Sequence, residues 1–328
     1  MKEFFCMQKL DEVLQELLFN DIARGISKKT RDKHRKFLGL FITYLEERNI
    51  SYIDDVTPKH IRGLMILKLE KRCAESYVNS HLRSIRALFK YCTDEEYIRY
   101  DLNPCLRVKW VKERQVVVQT FNDEEIKEML TLAKKETFFK VKNMGKTRTG
   151  FQTTFTKQRD YLLLLLLVDT GMRINEVMNL RVDQLNEKEI FIENAKGKKD
   201  RIIHCSPKIY KEYLKYKRLA SRLFEFNDVN PEAYVFLTKQ GKQYNYILAE
   251  RVLIKIGNQS HIRENIRVSP HTFRHYFSQK LVRNHTDIYT IQKLLGHASI
   301  KTTEVYLRSL NIEGEIEKVV KYSPLQTI

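Results

Sequence analysis

What the chain lacks narrows its possible functions. Its five cysteines, Cys6, Cys73, Cys92, Cys105 and Cys205, are scattered, odd in number and without a C-x-x-C pair. That pattern indicates neither a disulfide framework nor a standard zinc module, and it predicts reduced thiols in a cytoplasmic protein. The N-terminus has no apolar core followed by a small-residue cleavage site, so no secretory signal is expected. The longest apolar run, Tyr161 to Val168, is too short to span a bilayer, and no membrane partner is expected. Gly145-Lys146-Thr147 lacks the glycine-rich turn that precedes such residues in a phosphate-binding loop, which argues against a bound nucleotide. No carboxylate or cysteine joins His271 and His297 at ligand spacing, so no metal site is expected there.

Acidic residues are also in deficit. There are 41 Asp and Glu against 59 Lys and Arg, a formal charge of +18. Such an excess predicts a polyanionic partner, with DNA or RNA ahead of acidic lipid; the bland alternative is a merely basic protein. The apolar fraction of 42% fits a folded chain, and 328 residues suffice for two domains with separate cores.

Helical periodicity dominates the first part of the chain. Leu10, Val13, Leu14, Leu17 and Leu18 share one face. Ser27 is placed to cap a second helix, with Phe37, Leu38, Phe41 and Leu45 on its apolar side. Its other side carries Lys28, Lys29, Arg31, Lys33, Arg35 and Lys36, either a DNA-backbone surface or a solvated face. Thr57-Pro58 starts a third helix. Between Ser76 and Tyr91 another carries His81, Arg83, Arg86 and Lys90 opposite its apolar stripe. Four or five helices over residues 1–106 are expected as one domain, 107–120 as a basic linker and 121–328 as a second domain.

The second part mixes periods. Acids at Asp123, Glu124 and Glu125 mark a helix start. Lys134 to Gln158 is weakly patterned and reads as a loop or flap. Arg159 to Val168 reads as a buried helix that breaks at Asp169-Thr170-Gly171. Arg173 then opens a second helix, where Glu176 lies one turn on and either orients it toward an anion or holds it in a structural pair. Ile190-Phe191-Ile192 and Arg201-Ile202-Ile203 read as a hairpin with the basic tip Lys196-Gly197-Lys198-Lys199. His271 and Arg274, three apart on a predicted helix, share a face, whereas His275 points elsewhere. Leu295-Gly296-His297 follows, and Tyr306 comes nine residues after that histidine.

Arginines, histidines, a lysine and a tyrosine suit phosphodiester transfer. Guanidiniums bind non-bridging oxygens as charge develops. A tyrosine, with a free pKa of about 10, attacks phosphorus if its proton is accommodated. A lysine or histidine protonates the leaving oxygen. Taken in order, Thr170-Gly171-Met172-Arg173, Lys196-Gly197-Lys198-Lys199-Asp200-Arg201, His271-Thr272-Phe273-Arg274, Leu295-Gly296-His297 and Tyr306 resemble the motifs of the tyrosine site-specific recombinases, or phage integrase family. The likeness is to the compact Xer-like and transposon-borne members and covers nearly the whole chain.

That resemblance implies a mainly α fold with a small β component: an N-terminal helical, SAM-like core-binding domain and a mixed α/β catalytic domain. It implies Tyr306 as nucleophile, forming a 3′-phosphotyrosyl link, with Arg173 and Arg274 stabilising the transition state. Lys196 is the general acid it points to, with Lys198 as fallback; His271 assists the tyrosine's proton and His297 hydrogen-bonds the phosphate. Neither metal nor ATP is implied. The implied partners are double-stranded DNA with paired inverted-repeat core sites, further copies in a homotetramer that exchanges C-terminal helices such as Leu310 to Val320, and accessory DNA-binding proteins. The implied tasks are excision or integration of a mobile element, or dimer resolution. The alternatives are DNA relaxation of the type IB topoisomerase kind and a catalytically silent architectural protein.

Overall fold

In the computed structural model of the chain, the described residues are 8–114, 119–143, 148–193, 200–297, 299–300 and 302–304, with the backbone alone for 138–143 and 148. The chain divides into two compact units, Met1–Val116 and Val117–Ile328.

Among the described residues of the first unit there are four helices: α1 (Leu10–Ala23), α2 (Lys28–Glu46), α3 (Pro58–Glu70) and α4 (Glu75–Asp94). Ser27 caps α2 as its side chain predicts, Oγ accepting from the Thr30 N–H at 3.3 Å. At the head of α3 the Thr57 N–H donates to His60 Nδ1 at 3.1 Å. Leu38, Phe41, Leu45, Val78, Leu82, Ile85 and Phe89 are buried with the α1 leucines in one core. The polar stripe expected on α4 is split: Arg83 and Lys90 are exposed, but His81 is 1% exposed. Its ring packs against Phe37 and Tyr77, with centroids 4.4 and 4.9 Å away. Arg86 turns inward too, donating to the Val108 carbonyl at 2.6 Å and lying over the Trp110 ring.

The start of the expected connector is fastened to this unit. Asn79 accepts from the Val111 N–H and donates to the Val111 carbonyl, both at 2.9 Å, and Val108 is buried. A side-chain amide satisfies both backbone polar groups of one residue, which holds a segment that belongs to no sheet.

The second unit is built around α6 (Arg148–Thr170). Tyr161 to Leu167 are all buried, as a helix that is apolar on every side must be. Around it pack α5 (Asp123–Asn143), α8 (Pro207–Asn227), α9 (Tyr246–Asn258) and α10 (Pro270–Arg283). A two-stranded antiparallel sheet, β1 (Glu189–Ile192) and β2 (Arg201–His204), pairs Ile192 with Arg201. Two short α-helices, α7 (Ile174–Met178) and α11 (Ile288–Leu295), also belong to this unit. The architecture is mainly helical with this small β component, as expected.

The loop or flap expected over Lys134 to Gln158 is largely helix. α5 runs to Asn143 and α6 begins at Arg148. Buried polar side chains replace the missing apolar pattern. Gln158 donates to the Glu212 carboxylate at 2.8 Å, and Thr154, also buried, donates back to the Gly150 carbonyl at 3.0 Å.

Candidate active site

Gly171 adopts φ +59° where α6 ends, in the left-handed region that glycine enters without cost. A Cβ there would run into the Phe277 ring. The turn delivers Arg173 to the head of α7. Its backbone N–H donates to Glu176 Oε2 at 2.8 Å and its Nη1 to Glu176 Oε1 at 2.9 Å, which is the pairing the helical spacing predicts. Arg173 keeps 23% of its side chain exposed while Glu176 keeps 9%.

Ser269 caps α10, with Pro270 at its first position. This places Arg274 one turn in, where it is 5% exposed. Its Nη1 donates to the Gly171 carbonyl at 2.8 Å and its Nη2 to the Leu295 carbonyl at 2.6 Å. His271 lies on the exposed side of the first turn.

The end of α11 joins these parts. Gly296 terminates it in the left-handed conformation, φ +63°. A helix end leaves carbonyls without amide partners and carries partial negative charge. Here three successive carbonyls each accept from a different arginine. Leu294 accepts from Arg201 Nε at 3.0 Å, Leu295 from Arg274, and Gly296 from Arg173 Nη2 at 2.9 Å. Arg201 also grips Glu176 with both terminal nitrogens, at 3.0 and 2.6 Å. Gly296 is required twice: by its φ, and because a Cβ would stand 3.0 Å from Arg201 Nη1.

His297 follows directly. Its Nδ1 lies 2.8 Å from Thr303 Oγ1. Burial, then Arg274, Arg173, Arg201 and His275, push its pKa down to about 4, so the ring is neutral at physiological pH. His275, expected to point away, is half-buried within electrostatic reach of His271, Arg274 and His297, and its own pKa is pushed down to about 4 by burial and those first two neighbours. Glu176 goes the other way. Burial raises its carboxyl, but hydrogen bonds and charge from Arg201 and Arg173 outweigh this and hold it below the usual range.

Arg173, Arg274 and His297 are thus brought together, with His271 on the same helix as Arg274. Lys196 and Tyr306 lie outside the described residues. Arg201 had no separate signal in the sequence, where it is one cation among several after the hairpin tip. Among the described residues no group of three His, Cys, Asp or Glu side chains could hold a metal ion, and no helix is long and apolar enough to cross a membrane. A cleft of about 530 Å³ beside α8, lined by Lys188, His204, Tyr210, Lys211 and Arg218, contains none of the site residues.

The fold is that of DNA recombinases. The structure aligns with XerH site-specific recombinase bound to palindromic difH substrate over 95% of this chain and 84% of that one, at TM-score 0.68 and 16% identity. It aligns with the Tn1549 transposon integrase in complex with transposon right end DNA over 95% and 99%, at TM-score 0.67 and 16% identity. In sequence it is 26% identical to tyrosine recombinase XerD of Listeria innocua over 303 residues, 90% of this chain and 92% of that protein. Residues 16–96 match the phage integrase N-terminal SAM-like domain. Residues 119–312 match the phage integrase family itself, and the chain belongs to that family. It is therefore a tyrosine recombinase, of the class that carries out site-specific DNA recombination.

Proposed function

We propose that the chain cuts and rejoins DNA through Tyr306, using Arg173, Arg274, His271, His297 and Lys196, without metal or ATP. The observation that carries this reading is the convergence of Arg173, Arg274 and neutral His297 on the end of α11. Two guanidiniums there meet the charge that builds on the non-bridging oxygens as Tyr306 attacks phosphorus. If Thr303 donates to Nδ1, the neutral His297 ring carries its proton on Nε2 and can donate it to the same phosphate. Tyr306 gives its proton to His271 as its oxygen attacks phosphorus, the displaced 5′-oxygen takes a proton from Lys196 to leave as a 5′-hydroxyl, and a 3′-phosphotyrosyl bond replaces the phosphodiester. Because that bond conserves the ester, the 5′-hydroxyl of a partner strand reverses the step on new DNA.

The partners this reading requires are double-stranded DNA with paired inverted-repeat core sites and three further copies of the chain, exchanging C-terminal helices. The working compartment is the bacterial cytoplasm, and the substrate is a mobile element or a chromosome dimer. Accessory DNA-binding proteins would set the order of events. The domain limits that go with this are 1–106 for core binding, 107–120 for the linker and 121–328 for catalysis.

The test uses duplexes that the full chain selects from a random-sequence library, nicked so that the covalent adduct is trapped. Wild type forms a protein–DNA adduct and Tyr306→Phe forms none while binding the duplex within about threefold, because affinity comes from dispersed phosphate contacts. An adduct from Tyr306→Phe, or none from wild type, removes Tyr306 as nucleophile. Lys196→Ala slows adduct formation, and a 5′-thiolate leaving group, which needs no proton, restores it. Rescue of Lys198→Ala in its place moves the acid to Lys198.

A further inference from the structure

Arg201 is buried, with 8% of its side chain exposed, and all three of its nitrogens donate to protein atoms. It is the first residue of β2, paired in register with Ile192, and so stands at the base of the hairpin, next in sequence to the connection that includes Lys196. Its Nε reaches the Leu294 carbonyl, ahead of the two carbonyls that receive Arg274 and Arg173. Its Nη1 and Nη2 occupy the two oxygens of Glu176, which are the same oxygens that bind the Arg173 side chain and backbone.

From this arrangement we propose that Arg201 is a positioning residue for cleavage, setting the guanidinium of Arg173 and the hairpin base through Glu176 and the end of α11. The inference rests on the reading of Arg173 given above. Without Arg201, a buried carboxylate would be left with Arg173 as its remaining cationic neighbour among the bonds described. A carboxylate in that position draws a guanidinium into a bidentate pair. Arg173 would then turn from the Gly296 carbonyl toward Glu176, and a charge meant for the phosphate would be directed at the protein. A lysine cannot replace the arginine, since a single ammonium does not span Leu294 and both carboxylate oxygens with a fixed planar fork.

The experiment compares wild type, Arg201→Met, Arg201→Lys and Arg173→Ala on two nicked versions of the library-selected duplex. One carries the normal scissile phosphate. The other carries a methylphosphonate there, which lacks the negative charge that Arg173 would neutralise. On the phosphate, Arg201→Met should slow adduct formation about 100-fold, as loss of one preorganised donor does, with binding changed less than about threefold. On the methylphosphonate, both Arg201→Met and Arg173→Ala should come back to within about tenfold of wild type. Arg201→Lys should lie between Arg201→Met and wild type on the phosphate.

A loss equally deep on both duplexes means that Arg201 merely supports the fold, and so does failure of both Arg201 variants to melt cooperatively. Either result overturns the proposal, as does a wild-type rate for Arg201→Met. Absence of any adduct from wild type on both duplexes is a different result, which overturns the underlying reading of Tyr306 and not the geometry of Arg201.

Discussion

The two units use their cations in opposite ways. On α2 of the first unit, Lys28, Lys29, Lys33, Arg35 and Lys36 are exposed, and the Arg35–Asp32 pair at 3.2 Å lies in solvent. In the second unit Arg274 and Arg159 are buried, the Arg201 side chain is only 8% exposed, and all three are aimed by fixed carbonyls and carboxylates. Surface pairs contribute little and leave their charge available to any nearby phosphate. Buried guanidiniums with fixed acceptors cannot follow a substrate about, and they present charge in one geometry. On the proposed reading, the first arrangement would supply affinity, which adds up over many loose contacts, and the second transition-state stabilisation, which requires a set position.

The sharpest way to break this contrast is to keep charge and remove shape. Arg274→Lys retains the cation but cannot donate to Gly171 and Leu295 through one rigid fork. Adduct formation in single-turnover assays should fall about 100- to 1,000-fold with little change in affinity. A loss of affinity that matches the loss of rate would mean the buried arginines serve binding like the surface ones.

On α2, the combined change of Lys28, Lys29, Lys33 and Lys36 to Gln should act on binding alone. If all four meet phosphates, the slope of log K against log salt becomes shallower by about 3 to 4, while the rate of adduct formation at saturating DNA stays within about twofold. A slope unchanged in titrations by fluorescence anisotropy would make this face merely solvated.

The smallest effect concerns a titratable group that is buried but unaimed. Among the described residues, neither ring nitrogen of His81 has a hydrogen-bond partner. Burial, then Lys68 and Lys36, lower its pKa from 6.5 to about 4. The unfolded chain therefore takes up the proton first. The contribution to stability is complete above about pH 6.5 and is lost as the pH falls toward 4. His81→Leu removes an unsatisfied imidazole, so it should stabilise the protein by on the order of 1 kcal/mol, raise Tm by a few degrees and flatten its dependence on pH in that window. A lower Tm at pH 7 in scanning calorimetry would show that the imidazole is held by something other than packing.

What could be read in advance follows from period and spacing. α2 and α4 announce themselves because their apolar residues recur every three or four positions and one core accepts them all. The Arg173–Glu176 pair is one helical turn long and so is local. The first half of α6 is hidden in the sequence because Thr154 and Gln158 fill inward positions, and polar residues there erase the period. His81 was misplaced for the converse reason: it looks like a polar-face residue until Phe37 and Tyr77 close over it. Arg201 matters through a partner far along the chain, and no local pattern marks such a contact.

Those distant partners have a consequence for the newly made protein. Arg173 is joined to Gly296 across 123 positions, Arg274 to Gly171 across 103, and Arg201 to Leu294 across 93. Synthesis runs from the N-terminus, and contacts of such long range form late. A nascent chain can present the basic face of α2 well before Leu294 to Gly296 have left the ribosome. On the proposed reading, the growing polypeptide would during that interval hold DNA without a means of cutting it. Premature termination upstream of α11 would then leave a DNA-binding fragment and not a stray nuclease.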